Sequence, residues 1–186
     1  METQRRVRVS VIAVPLGLLI VIALAALSYV ATRATITVGP IFSPAGTHQA
    51  GDSFAVEWRT GTNISIFASF VPSRSARIRS VTLEGLDPKN AVIESSQYGF
   101  WDGKAPLPSF TSESDVLPAG FHPRALVGSF TAPAGSRVFV RLLVRAIADA
   151  KVTDVLTGFR VDAESWGWAH STVIPFQEPV KLEAAH

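Results

Sequence analysis

Between Val9 and Ala31 the chain reads VSVIAVPLGLLIVIALAALSYVA, 23 residues without one charged side chain. No other feature narrows its folding options so far. At 1.5 Å per residue a helix of this length reaches roughly 34 Å, more than a hydrocarbon core of about 30 Å. A helix this apolar all round must be covered on every side, by protein or by lipid. The sequence therefore predicts three parts: a basic cytoplasmic tail over residues 1–8, a transmembrane helix over 9–31 and a separate domain over 32–186. Pro15 falls in the first third of the span, where a membrane helix tolerates proline with a kink. Tyr29, near the other end, suits the interfacial aromatic belt.

The charges set an orientation. Arg5, Arg6 and Arg8 precede the span and Arg33 alone follows it closely, so the positive-inside bias places the N-terminus in the cytoplasm and the rest of the chain outside. The competing reading is a cleaved signal peptide, with Ala26 and Ser28 at the cleavage site. The apolar stretch exceeds the roughly 7–15 residues of a signal-peptide core, which favours a retained anchor at the cell membrane. The sequence pI of about 9.3 does not indicate nucleic acid. Residues 1–33 hold four arginines and one glutamate, net +3, while the remainder holds 13 basic and 14 acidic residues, net −1. The excess charge belongs to topology and lipid headgroups. With no cysteine in the chain, disulfides and cysteine-held zinc or iron–sulfur sites are excluded, and the exported domain must be held by its core alone.

That domain reads as mainly β. In SFAVEWRT, residues 53–60, Phe54, Val56 and Trp58 alternate with Ala55, Glu57 and Arg59, the period of a half-buried strand. NISIFASFV follows. In ARIRSVTLEG the alternation resets between Arg79 and Val81, which predicts a bulge. AVIESSQY, ALVGSFT, SRVFVRLLVRAI, VTDVLTGFRVDA and AHSTVIPF continue the pattern, and with ATITVGPIF at the start they give eight or nine strands. Short strands with turn signals between them imply a two-sheet antiparallel sandwich. Residues 99–123, with four prolines, break the pattern and read as a long loop.

The succession SFAVEW, NISIFASFVP, ARIRSVTLEGL, LVGSFTAPAGSRVFVRLLVRA and VTDVLTGFRVDAESWGWAHSTVIPF, closing on Ile174-Pro175-Phe176, resembles small bacterial envelope proteins with one N-terminal membrane anchor and one immunoglobulin-like ectodomain. The resemblance is one of architecture over most of residues 50–180. It implies an immunoglobulin-like β-sandwich and brings no catalytic residue.

Within ESWGWAH, residues 164–170, Trp166, Trp168 and His170 sit at alternate positions. A straight strand would put all three on one face. Gly167 interrupts what would be an 18-residue strand from Phe159 to Phe176, longer than strands usually run, so a hairpin is expected. Two registers compete. A two-residue turn at Trp166-Gly167 pairs Phe159 with Ile174 and Ala163 with His170, which buries Ile174 and Phe176. A three-residue turn flips every side chain. The first gives the better core. The second spares tryptophan a positive φ.

Two groups of side chains are candidates for contact with a ligand or partner. Trp166 and Trp168 at a hairpin tip suit sugar rings or an apolar partner surface, with covering of the open end of the sandwich as the structural alternative. Phe100, Trp101, Phe121 and His122 belong to the aromatic-rich segment 98–123, at a place where sandwich loops bind. The histidines are scattered, and neither SESD at 112–115 nor Asp149 with Asp154 meets calcium spacing. No nucleophile elbow, phosphate loop or zinc-protease motif is present. The expectation is a binding or scaffolding protein without cofactor or enzymatic activity. Its partners would be the lipid bilayer and an envelope protein, with a receptor for a glycan, lipid or small molecule as the second reading.

Overall fold

The computed structural model describes residues 3–39, 48–50, 53–58, 61, 63–101, 122–147 and 154–184. The chain divides into two compact units, Met1–Arg33 and Ala34–His186.

The first unit is one helix, α1 (Thr3–Thr32), with Pro15 inside it. Its described large apolar side chains between Leu18 and Val30 are exposed, and they occupy all sides of the helix rather than one stripe. Among the described residues no helix is long and apolar enough to cross a membrane. Side chains of α1 are described only from Pro15 on, so they cover part of the uncharged run 9–31. The transmembrane expectation is not established by them.

The second unit is a two-sheet sandwich. Its strands are β1 (Ile36–Val38), β2 (His48–Ala50), β3 (Ser53–Trp58), β4 (Asn63–Pro72), β5 (Ala76–Glu84), β6 (Ala91–Phe100), β7 (Arg124–Ala125), β8 (Phe130–Ala132), β9 (Val138–Ala146), β10 (Asp154–Ser165) and β11 (Trp168–Ala184). One sheet has the order β1-β4-β9-β6-β7 and the other β2-β3-β11-β10-β5-β8. Ile64, Ile66, Phe70, Val140 and Leu142 from the first sheet share a core with Ile78, Val81, Phe159, Val161, Ile174 and Leu182 from the second. The alternation read from the sequence supplies these faces: along β5 the side chains of Ala76, Ile78, Val81 and Leu83 are buried, with Arg77 and Arg79 between them exposed. The predicted bulge lies where the alternation resets, since Ser80 pairs with Asp162 but Ile78 with Ala163, leaving Arg79 as the extra residue.

Two expectations need correction. The sheets are not wholly antiparallel, because β11 runs parallel to β3, with Val180 beside Phe54 and Leu182 beside Val56. The last strand does not stop at Phe176. It continues to Ala184 after a break in register between Leu156 and Gly158 on the facing strand. Gly158 permits this passage: a Cβ there would collide with the Ile174 carbonyl oxygen and stand 2.9 Å from the Cα of Pro175. Beyond these, β4 is buried on both faces, with Ser65, Phe67 and Ser69 buried like the core residues they alternate with. Val56 of β3 is buried as expected, while the side chain of Trp58 lies outside the described residues.

Strand directions define two ends. The chain enters the sandwich at Ala34, where Thr35 N–H donates to Ser73 Oγ (2.9 Å) and Ser73 N–H to the Thr35 carbonyl (2.8 Å). This proximal end also holds the β4–β5 turn, the β8–β9 turn, whose Gly135 N–H donates to the Pro72 carbonyl (2.8 Å), and the β10–β11 turn, reached from Ser165 Oγ to the Ser75 carbonyl (3.4 Å). The distal end holds the β5–β6 turn and the start of β10.

Candidate functional site

The β10–β11 hairpin answers the question raised by the alternating aromatics. Phe159 pairs with Ile174, Val161 with Thr172, Ala163 with His170 and Ser165 with Trp168. The turn therefore consists of Trp166 and Gly167 alone, with φ of 54° and 78°. Both values are positive, as a type I′ turn requires, and this turn matches the twist of the strands it joins. Asparagine-glycine is the usual occupant. Gly167 bears its conformation without strain, but a bulky side chain at positive φ is an outlier, held at roughly 1–3 kcal/mol. The register that buries Ile174 and half-buries Phe176 against Phe159 (6.2 Å between ring centroids) overrides that local penalty.

The three aromatics consequently do not share a face. Trp168 and His170 lie on the core side of β11, His170 buried and Trp168 at the rim with 44 % of its surface exposed. Trp166 stands in the turn and is 78 % exposed. No burial of its own ring compensates for its backbone strain.

The second candidate group is divided. On β6, Tyr98 and Phe100 face inward toward Phe130 of β8, Tyr98 stacking on it at 3.8 Å and 9° and Phe100 meeting it edge-on at 6.4 Å. This aromatic set closes the sandwich where its two edge strands β7 and β8 follow one another. Trp101, one residue on, turns to the outer side. It meets Phe139 edge-on (6.1 Å), carries the Arg137 guanidinium over its ring at 4.7 Å, and donates its backbone N–H to the Arg137 carbonyl. His122 is exposed just before β7. Phe121 lies outside the described residues, as does SESD at 112–115. The structure thus brings Trp101 to the proximal end with Trp166 and Trp168, while Phe100 meets Phe130 of the opposite sheet at one ring edge and keeps 41 % of its surface exposed.

The arginines sort by environment. Arg79 pairs with Glu164, Arg160 with Glu84 (2.7 Å) and Arg145 with Glu94 (2.6 Å), all partly exposed pairs that contribute at most about 1 kcal/mol each. Arg141 departs from this pattern. It is buried on the outer face of β9 and donates from Nε to Ser65 Oγ (2.9 Å). Arg74, Arg77 and Arg137 are exposed at the proximal end, where Arg77 Nε also donates to Ser129 Oγ (2.7 Å). Arg137 was not legible as a member of this group, because sequence separates it from Arg74 by more than 60 residues and only the pairing of β4 with β9 unites them. Among the described residues no three His, Asp or Glu side chains gather as a metal would need.

No known protein family matches the chain, and no curated protein matches it.

Proposed function

We propose that the chain is a single-pass membrane protein, N-terminus cytoplasmic, whose immunoglobulin-like β-sandwich serves outside the cytoplasm as a binding or scaffolding domain, as an accessory subunit of a larger envelope complex. The observation that carries this reading is the uncharged run 9–31, flanked by three arginines before it and one after it. Continuity of α1 from Thr3 to Thr32 supports it, since every residue of the run falls in one helix, the spanning structure that pairs backbone polar groups within itself and tolerates the one proline, Pro15. So does the apolar exposure around that helix, which water alone would penalise. The second reading, a receptor for a glycan, lipid or small molecule through residues 98–123, keeps the exposed Phe100 and His122 as its described contacts.

A reporter active only outside the cytoplasm, fused to the C-terminus, tests the topology. The proposal expects signal from a chain that keeps residues 1–31 and resists extraction from membranes at alkaline pH. A mature chain beginning near Tyr29, or a silent reporter, contradicts it. Extraction in mild detergent then tests the subunit role: a stoichiometric protein partner is expected, and a chain that purifies alone contradicts it.

A further inference from the structure

Four observations converge on the proximal end of the sandwich. Trp166 is exposed and held at positive φ, a conformation that a bulky side chain reaches at a cost. Trp168 stands exposed at the rim beside it. The exposed arginines Arg74, Arg77 and Arg137 surround the same end, and the acidic side chain described there, Glu164, is already paired with Arg79. The chain also enters the sandwich at this end, at Ala34, which hydrogen bonds of the adjacent Thr35 fix beside Ser73 and hence beside Arg74.

We propose that this end is a lipid-facing surface: Trp166 and Trp168 enter the headgroup region of the bilayer, and Arg74, Arg77 and Arg137 engage anionic headgroups. The inference rests on the membrane-anchor reading, because the tether supplies the occupant. If the span closes at Ala31, three residues lead to Ala34, and a fully extended chain covers no more than roughly 3.5 Å per residue, so Ala34 itself lies within about 10 Å of the end of the span. The side chains found there have the chemistry of that zone. Tryptophan is enriched at membrane interfaces because its ring is apolar and its indole N–H is polar. Arginine near an anionic leaflet is attracted to it over about one Debye length. A turn that presents tryptophan to the outside, in the conformation that suits asparagine, is a backbone outlier of the kind that marks a contact. Docking of another protein on the same end is the competing outcome.

The test is quenching of tryptophan fluorescence by lipids brominated near the headgroup. The full chain is reconstituted into vesicles of phosphatidylcholine with phosphatidylglycerol, and the parent is compared with Trp166→Asn. The parent should be quenched, and the variant should lose a distinct part of that quenching while melting no lower than the parent. Vesicles of phosphatidylcholine alone, or Arg74→Gln with Arg137→Gln, should reduce the quenching in the parent. Equal quenching in parent and Trp166→Asn, or none in either, overturns the proposal and leaves the tip to a protein partner. Alkaline extraction of the same vesicles separates the two readings: a chain that resists extraction but shows no Trp166 quenching keeps its anchor and loses this surface, whereas a chain that is extracted loses the anchor itself.

Discussion

The distal end of the sandwich is built round a buried carboxylate, and the proximal end joins hydrogen-bonded turns to exposed tryptophan and arginine side chains. At the distal end Asp154 is buried and accepts from the Asp87 backbone N–H (3.1 Å) and from Asn90 Nδ2 (2.8 Å). Asp87 in turn accepts from the Lys89 N–H (2.9 Å), and the Asn90 carbonyl takes the N–H of Ile147 (2.9 Å). The Lys89 contact closes the β5–β6 turn on itself, and the Asp154 and Ile147 contacts fix that turn against the start of β10 and the end of β9. At the proximal end Trp166 has an exposed ring on a strained backbone, and Arg74 is exposed one residue past the serine that anchors the incoming chain. Two ends of one domain, joined by the same strands, therefore differ in what their residues do. One end maintains the fold, and the other carries strain that the rest of the fold sustains.

Mutations can break or sharpen this contrast. Phe70→Ala sets the scale, since Phe70 is fully buried in the core between the ends. Its loss should lower stability by about 3–5 kcal/mol, read as a fall in the urea midpoint. Asp154→Ala should come next, at about 2–4 kcal/mol, because it leaves a buried Asn90 amide and the Asp87 N–H without their acceptor. A thermal melt close to the parent's would show that the distal network is ornamental. Gly167→Val should cost about 1–2 kcal/mol, since a β-branched residue resists positive φ even though nothing lies within 4 Å of its Cβ. A neutral result would mean that the turn relaxes easily and that Trp166 carries no strain.

Much of the sandwich was legible because its signals are local. The Arg77-Ile78-Arg79 alternation and its reset at Ser80 specify the strand and the bulge of β5, and the pairing of Phe159 with Ile174 follows from which register buries both. What sequence did not convey is non-local. The Ile174-Pro175-Phe176 step read as the end of the last strand, and only the parallel partner β3 explains why Val180 and Leu182 continue it into the core. The burial of Ser65, Phe67 and Arg141 on the outer face of their sheet likewise contradicts the simple inside–outside alternation of a two-layer sandwich. At the candidate site, the conflict between core register and turn chemistry was visible at Trp166 and Gly167. Its outcome depended on a cooperative core outweighing one residue's preference. That Arg137 and Trp101 lie at the same end of the sandwich as Trp166 required the topology, since they belong to different strand ends of two sheets.

Thermal unfolding of Trp166→Asn tests the strain at the proximal turn most directly. Asparagine takes positive φ more readily than any other residue that bears a side chain, and the ring it removes is mostly exposed. The variant should gain up to about 1 kcal/mol, raising the melting temperature by roughly 2–4 °C. A fall in melting temperature would contradict the account, since it would show that Trp166 holds the proximal end together as Asp154 holds the distal one.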